Sequence, residues 1–175
     1  MCALDFIENY CCEDNQSFRN DSYNESFSEE EIVSEFLAYL KKKKKFSIVN
    51  WEPPKADYPS YMFLSGDKGI LAYLDFLYVE SDTSFSEKKI QINSNMLLNK
   101  IRVAESQLDR PVFFVYFLNC IDRHGVFFET NEQIKDRWFR NSIKTSDYHP
   151  IFNEMGDYNN LISILTDLRH NNVRV

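Results

Sequence analysis

Two apolar runs constrain this chain more than any other feature. Residues 70–79 read ILAYLDFLYV and residues 112–118 read VFFVYFL. A strand with one wet face alternates apolar and polar side chains, whereas a near-continuous apolar run belongs to a strand covered on both faces. Such strands need helices above and below the sheet that holds them. Ahead of the first run, the turn Ser65-Gly66-Asp67-Lys68-Gly69 follows the aromatic-rich segment Tyr58–Leu64, and together they predict a hairpin.

The flanking segments supply the helices. Ser28 and Glu31 form a capping box, and Ile32, Val33, Phe36, Leu37 and Leu40 follow at helical spacing, so residues 29–44 are predicted to be helical. Leu97, Ile101, Ala104 and Leu108 make the buried stripe of a second helix capped near Asn93 or Ser94 and stopped by Pro111. Thr130 with Gln133 opens a third, and Leu161, Ile164, Leu165 and Leu168 line a fourth over about 157–169. Short strands are expected at Phe46–Trp51 and Val126–Glu129. The order predicts an α/β (α+β) domain with a mixed central sheet of about five strands flanked by helices.

Composition places limits on function. Residues 1–27 carry a net charge of −5 out of the total of −7, so residues 28–175 are nearly balanced. The chain thus divides into an acidic, aromatic-containing N-terminal arm (1–27), suited to protein contacts, and one α/β domain (28–175). Cys2, Cys11, Cys12 and Cys120 form no CxxC pair, and His124, His149 and His170 are scattered, so neither a zinc site nor a nucleophilic triad is legible. No stretch reaches the roughly 18–20 apolar residues of a membrane span, and the start lacks a secretory pattern, which predicts a cytoplasmic protein with no membrane partner. The run Lys41, Lys42, Lys43, Lys44, Lys45 closes the first helix. It either answers the helix dipole or contacts nucleic-acid phosphates.

One residue breaks a local rule. Asp75 lies inside the first apolar run, where alternation places it on the face of Leu71, Tyr73, Leu77 and Val79. A buried carboxylate costs several kcal/mol unless it is neutralised, paired or bound to metal. One compensation is a structural ion pair with a helix residue such as Arg102. Another uses Asp57, which stands just before the preceding strand and, across a hairpin, would approach Asp75.

A helix, a meander with Ala56-Asp57 ahead of its second strand and Asp75-Phe76-Leu77 on its third, then a helix and another strand: over residues 28–130 this resembles the PD-(D/E)XK nuclease superfamily, with a restriction-endonuclease-like core. The resemblance implies that Asp57 and Asp75 hold Mg²⁺ and that a lysine two residues after the second acid orients the attacking water. In this chain Leu77 stands at the lysine position. Lys68 is the first candidate for a relocated catalytic lysine, with Lys88 and Lys89 behind it, and Glu35 or Glu31 would complete the carboxylate cluster around the metal.

The expectation is therefore a nuclease-like protein with a degenerate centre. It would serve without a cofactor as a binding or regulatory subunit of a nucleic-acid-related assembly, with a phage-defence or counter-defence system as the analogous setting. Its partner would be a protein, with nucleic acid engaged through Lys41 to Lys45. Two other readings stand beside it: an active Mg²⁺-dependent nuclease using Asp57, Asp75 and a relocated lysine, and a small acidic inhibitor of the immunity type.

Overall fold

The computed structural model describes residue 7 and residues 28–52, 55–67, 69–81, 94–120, 123–141 and 155–171. In order they form α1 (Glu29–Tyr39) continued by a π-helical turn (Leu40–Lys44), β1 (Ser47–Asn50), β2 (Tyr61–Leu64), β3 (Ile70–Ser81), α2 (Ser94–Gln107), β4 (Val112–Cys120), β5 (Arg123–Thr130), α3 (Asn131–Asn141), β6 (Gly156–Asp157) and α4 (Tyr158–Asn171). The sheet has six strands in the order β1-β2-β3-β4-β5-β6. Its sixth strand, two residues long, is too short to leave a pattern in the sequence, which is why about five were expected.

Only β3 and β4 run parallel. They pair from Tyr73↔Val112 to Ser81↔Cys120, and every other neighbouring pair is antiparallel. Parallel neighbours require a crossover connection, and α2 lies in it. These two strands are the long apolar runs, and they hold the middle of the sheet.

Three layers result. On one side Ile32, Val33 and Phe36 of α1 pack with Tyr158, Leu161, Ile162 and Leu165 of α4 over Leu74, Phe76, Val115 and Phe117. On the other, Leu97, Ile101 and Ala104 of α2 and Ile134 of α3 pack over Tyr73, Phe114, Tyr116 and Leu118. Ile7, from the segment 1–27 read as an N-terminal arm, is helical and fully buried within the first of these cores.

The caps explain where the helices begin. Glu31 N–H donates to Ser28 Oγ at 3.2 Å, the forward half of the expected capping box. Both halves form at α3: Gln133 N–H donates to Thr130 Oγ1 at 3.2 Å, and Thr130 N–H to Gln133 Oε1 at 2.8 Å. The hairpin turn is closed by Ser65 N–H to the Gly69 carbonyl at 2.8 Å, with Gly69 N–H returned to Ser65 Oγ at 3.1 Å.

One expectation about facing fails for an identifiable reason. Phe63 opposes Ala72 and Leu64 opposes Ile70, so Leu71 has no partner on β2. This β-bulge turns Leu71 toward the α1/α4 core instead of the face shared by Tyr73, Leu77 and Val79. Beyond the bulge the alternation is regular, and Asp75 does lie on the α2 side.

Candidate functional site

The site begins where β2 ends. Tyr61↔Leu74 is the last pair between β2 and β3, so β3 from Asp75 onward has no β2 neighbour. Ser60, immediately before β2, places its hydroxyl 3.5 Å from Asp75 Oδ1. Farther along, Tyr78 N–H donates to the Glu29 carboxylate at 3.0 Å, so the start of α1 meets the strand on the side that β2 leaves.

Asp75 is buried, with 4% of its surface exposed, and so is Lys100 on α2, with 8%. Lys100 Nζ lies 2.5 Å from Asp75 Oδ2, a charge-assisted hydrogen bond inside the α2 face of the sheet. The partner helix was anticipated correctly, but the residue was not, because Arg102 points outward and is exposed. Lys100 falls three residues after Leu97 and four before Ala104, on the buried stripe of α2.

Burial pushes the Asp75 carboxyl above its ordinary value of 3.8, against the opposing pull of the Lys100 charge and of the hydrogen bonds from Lys100 and Ser60. The sign for stability follows. Between pH 3.8 and the raised folded value, the native state holds more protons than the unfolded chain, so this group's contribution falls as pH rises through that window. Denaturation curves across that range should show wild type losing ground to an Asp75→Leu/Lys100→Met variant as pH increases. A gap that widens in favour of wild type would contradict the direction. The same neighbourhood acts on Tyr61, whose phenol is raised by its burial first and then by Glu30, Asp75 and Glu29.

The other expected site residues are distributed as follows. Asp57 is half-buried in the turn Lys55–Tyr58, closed by Tyr58 N–H to the Lys55 carbonyl at 3.2 Å, three residues before Ser60. Glu35 sits on α1, in the layer opposite α2 and the Asp75–Lys100 pair. Among the described residues, no three His, Cys, Asp or Glu side chains gather into a group that could hold a metal ion. Lys68, Lys88 and Lys89 lie outside the described residues. Lys41, Lys42, Lys43 and Lys45 are exposed, and Lys44 is half-buried.

Sequence reasoning missed Lys100, Ser60 and Glu29, and it missed a second buried carboxyl. Glu129 on β5 accepts a hydrogen bond from Tyr116 Oη at 3.2 Å. A groove of about 740 Å³ that Asp75 does not line lies between the end of α2 and the start of α3. Its walls carry both signs of charge, including an ion pair of Lys135 with Glu105. No helix among the described residues is long and apolar enough to cross a membrane. The sequence matches no protein-family model, and no curated protein is significantly similar to it.

Proposed function

We propose that this chain is a nuclease-like scaffold whose catalytic centre is closed by an internal ion pair, and that it acts as a binding or regulatory subunit of a nucleic-acid-related assembly. The observation that carries the reading is the contact between Lys100 and Asp75. In a metal-dependent nuclease the acid at this strand position offers its oxygens to Mg²⁺, which needs near-octahedral oxygen ligation and retains several waters. Here one oxygen faces an ammonium, the other faces the Ser60 hydroxyl, and the group is nearly sealed from solvent. That donor set does not fit a hydrated divalent ion. The compensating cation belongs to the protein.

The architecture supports the lineage. A capped helix precedes an antiparallel meander, and a crossover helix leads to a strand parallel to the third. Asp57 and Asp75 occupy the turn before the second strand and the middle of the third.

The test is incubation of the pure full chain with plasmid, single-stranded DNA and RNA in Mg²⁺ and in Mn²⁺. No cleavage is expected above that of Asp75→Asn and Asp57→Asn. Cleavage abolished by either change, in a variant whose circular dichroism is unaltered, would overturn the reading. It would favour an active nuclease in which Lys100 is the relocated lysine, since its amine already reaches the acid.

A further inference from the structure

The lysine run at the end of α1 is not explained by the helix it terminates. Cations at a helix C-terminus ordinarily answer the unpaired carbonyls and the negative end of the dipole. Here Arg169 of α4 does that work. Its Nη1 donates to the Lys44 carbonyl at 3.1 Å and to the Lys45 carbonyl at 3.5 Å, while its guanidinium lies 5.0 Å from the centre of the Phe46 ring. Backbone bonding completes the closure, with Lys45 and Phe46 N–H groups both directed to the Leu40 carbonyl.

The lysines are therefore surplus to the cap. Leu40 is buried and anchors the π-helical turn, and Lys45 reverses the chain in the left-handed region at φ 57°. Lys41, Lys42, Lys43 and Lys45 consequently fan outward around one fixed turn, exposed and in no ion pair among the described residues. Like charges this close repel one another, and the chain has no shortage of acids, with 27 against 20 basic residues. Folding does not need this concentration of charge.

We infer that this turn is a contact surface for the phosphate backbone of duplex nucleic acid. The inference rests on the nuclease-like reading for its choice of nucleic acid among polyanions, and it names the ligand that reading leaves open. The chemistry argues for backbone contact rather than base reading. Lysines are point charges without the planar fork that recognises a guanine edge. The neighbouring aromatic, Phe46, is buried beneath Arg169 and offers no face for a base to stack on.

The experiment is fluorescence anisotropy of a labelled 20-base-pair DNA duplex of arbitrary sequence, titrated with the full chain from about 25 to 200 mM NaCl. Each phosphate neutralised contributes about −0.9 to the slope of log K against log salt, so full use of the four exposed lysines predicts a slope near −3.6. The variant carrying Lys41→Gln, Lys42→Gln and Lys43→Gln, with Lys45 left in its left-handed turn, should bind at least about tenfold more weakly at low salt. Its slope should be shallower by up to about 2.7. Three results would overturn the inference: no duplex binding at 25 mM salt, equal affinity and slope in the triple variant, or displacement by polyglutamate as effective as by unlabelled duplex. The last would point to an acidic protein instead. None of these touches the closed-centre reading, which is tested separately by cleavage and its loss in Asp75→Asn and by the stability of Lys100→Met.

Discussion

Lys100→Met should destabilise the fold by about 3–5 kcal/mol in urea denaturation at neutral pH, and adding Asp75→Leu should restore most of that loss. The single change leaves a carboxylate buried at 4% exposure with its ammonium partner gone, and an uncompensated buried charge is the costly case. The double change removes both charges and fills the space with apolar groups between Tyr73 and Leu77 on β3 and Leu97 and Ile101 on α2. Replacing a buried pair in this way is commonly neutral or favourable, because neither ion then has to shed its hydration. The double-mutant cycle isolates the coupling between the two positions. If Lys100→Met costs less than about 1 kcal/mol, the pair is solvated in solution and the closed-centre reading loses its support.

Phe36→Ala is the other large effect, at about 3–5 kcal/mol, with Phe36→Leu losing much less. Phe36 is completely buried and meets three rings edge-on: Phe117 at 5.1 Å, Phe76 at 6.0 Å and Tyr158 at 6.4 Å. Those rings belong to β4, β3 and α4, so one side chain joins α1 to both central strands and to the last helix. Edge-to-face pairs add about 0.5–1.5 kcal/mol beyond area burial, which leucine cannot replace although it fills most of the volume. Thermal unfolding by circular dichroism would measure both variants. A Phe36→Ala protein melting within 2 °C of wild type would mean that α1 is not held through this residue.

The frame of the fold was readable because strong local signals agreed. Two capping sequences, three buried helical stripes and two apolar runs each specified their own element, and the turn at Ser65–Gly69 joined β2 to β3. The features that escaped notice depend on geometry that no period carries. The bulge at Leu71 changes a facing, and β6 is a two-residue strand that pairs as Phe127↔Asp157 and Phe128↔Gly156.

The site was half legible. Asp75 stands out as an acid in an apolar strand, and the sequence points to an ion pair with the following helix, but through Arg102 rather than through Lys100. The overlooked signal was of the same kind: Lys100 is a base inside the buried stripe of a helix. Two such local contradictions, one per element, have their simplest resolution in each other. Ser60 and Glu29 carried no comparable mark, since serine before a strand and glutamate in a first helical turn are ordinary in those places.

The placement of Ile7 has a consequence for how the molecule is made. That side chain shares one core with Leu161 and Leu165 near the other end of the chain. The first of these residues leaves the ribosome long before the last, so the α1/α4 layer cannot be completed until α4 has been made. Until then the part of β3 and β4 that α4 covers on that side remains open. Chain elongation runs at about 5–20 residues per second, which leaves that apolar surface uncovered for seconds.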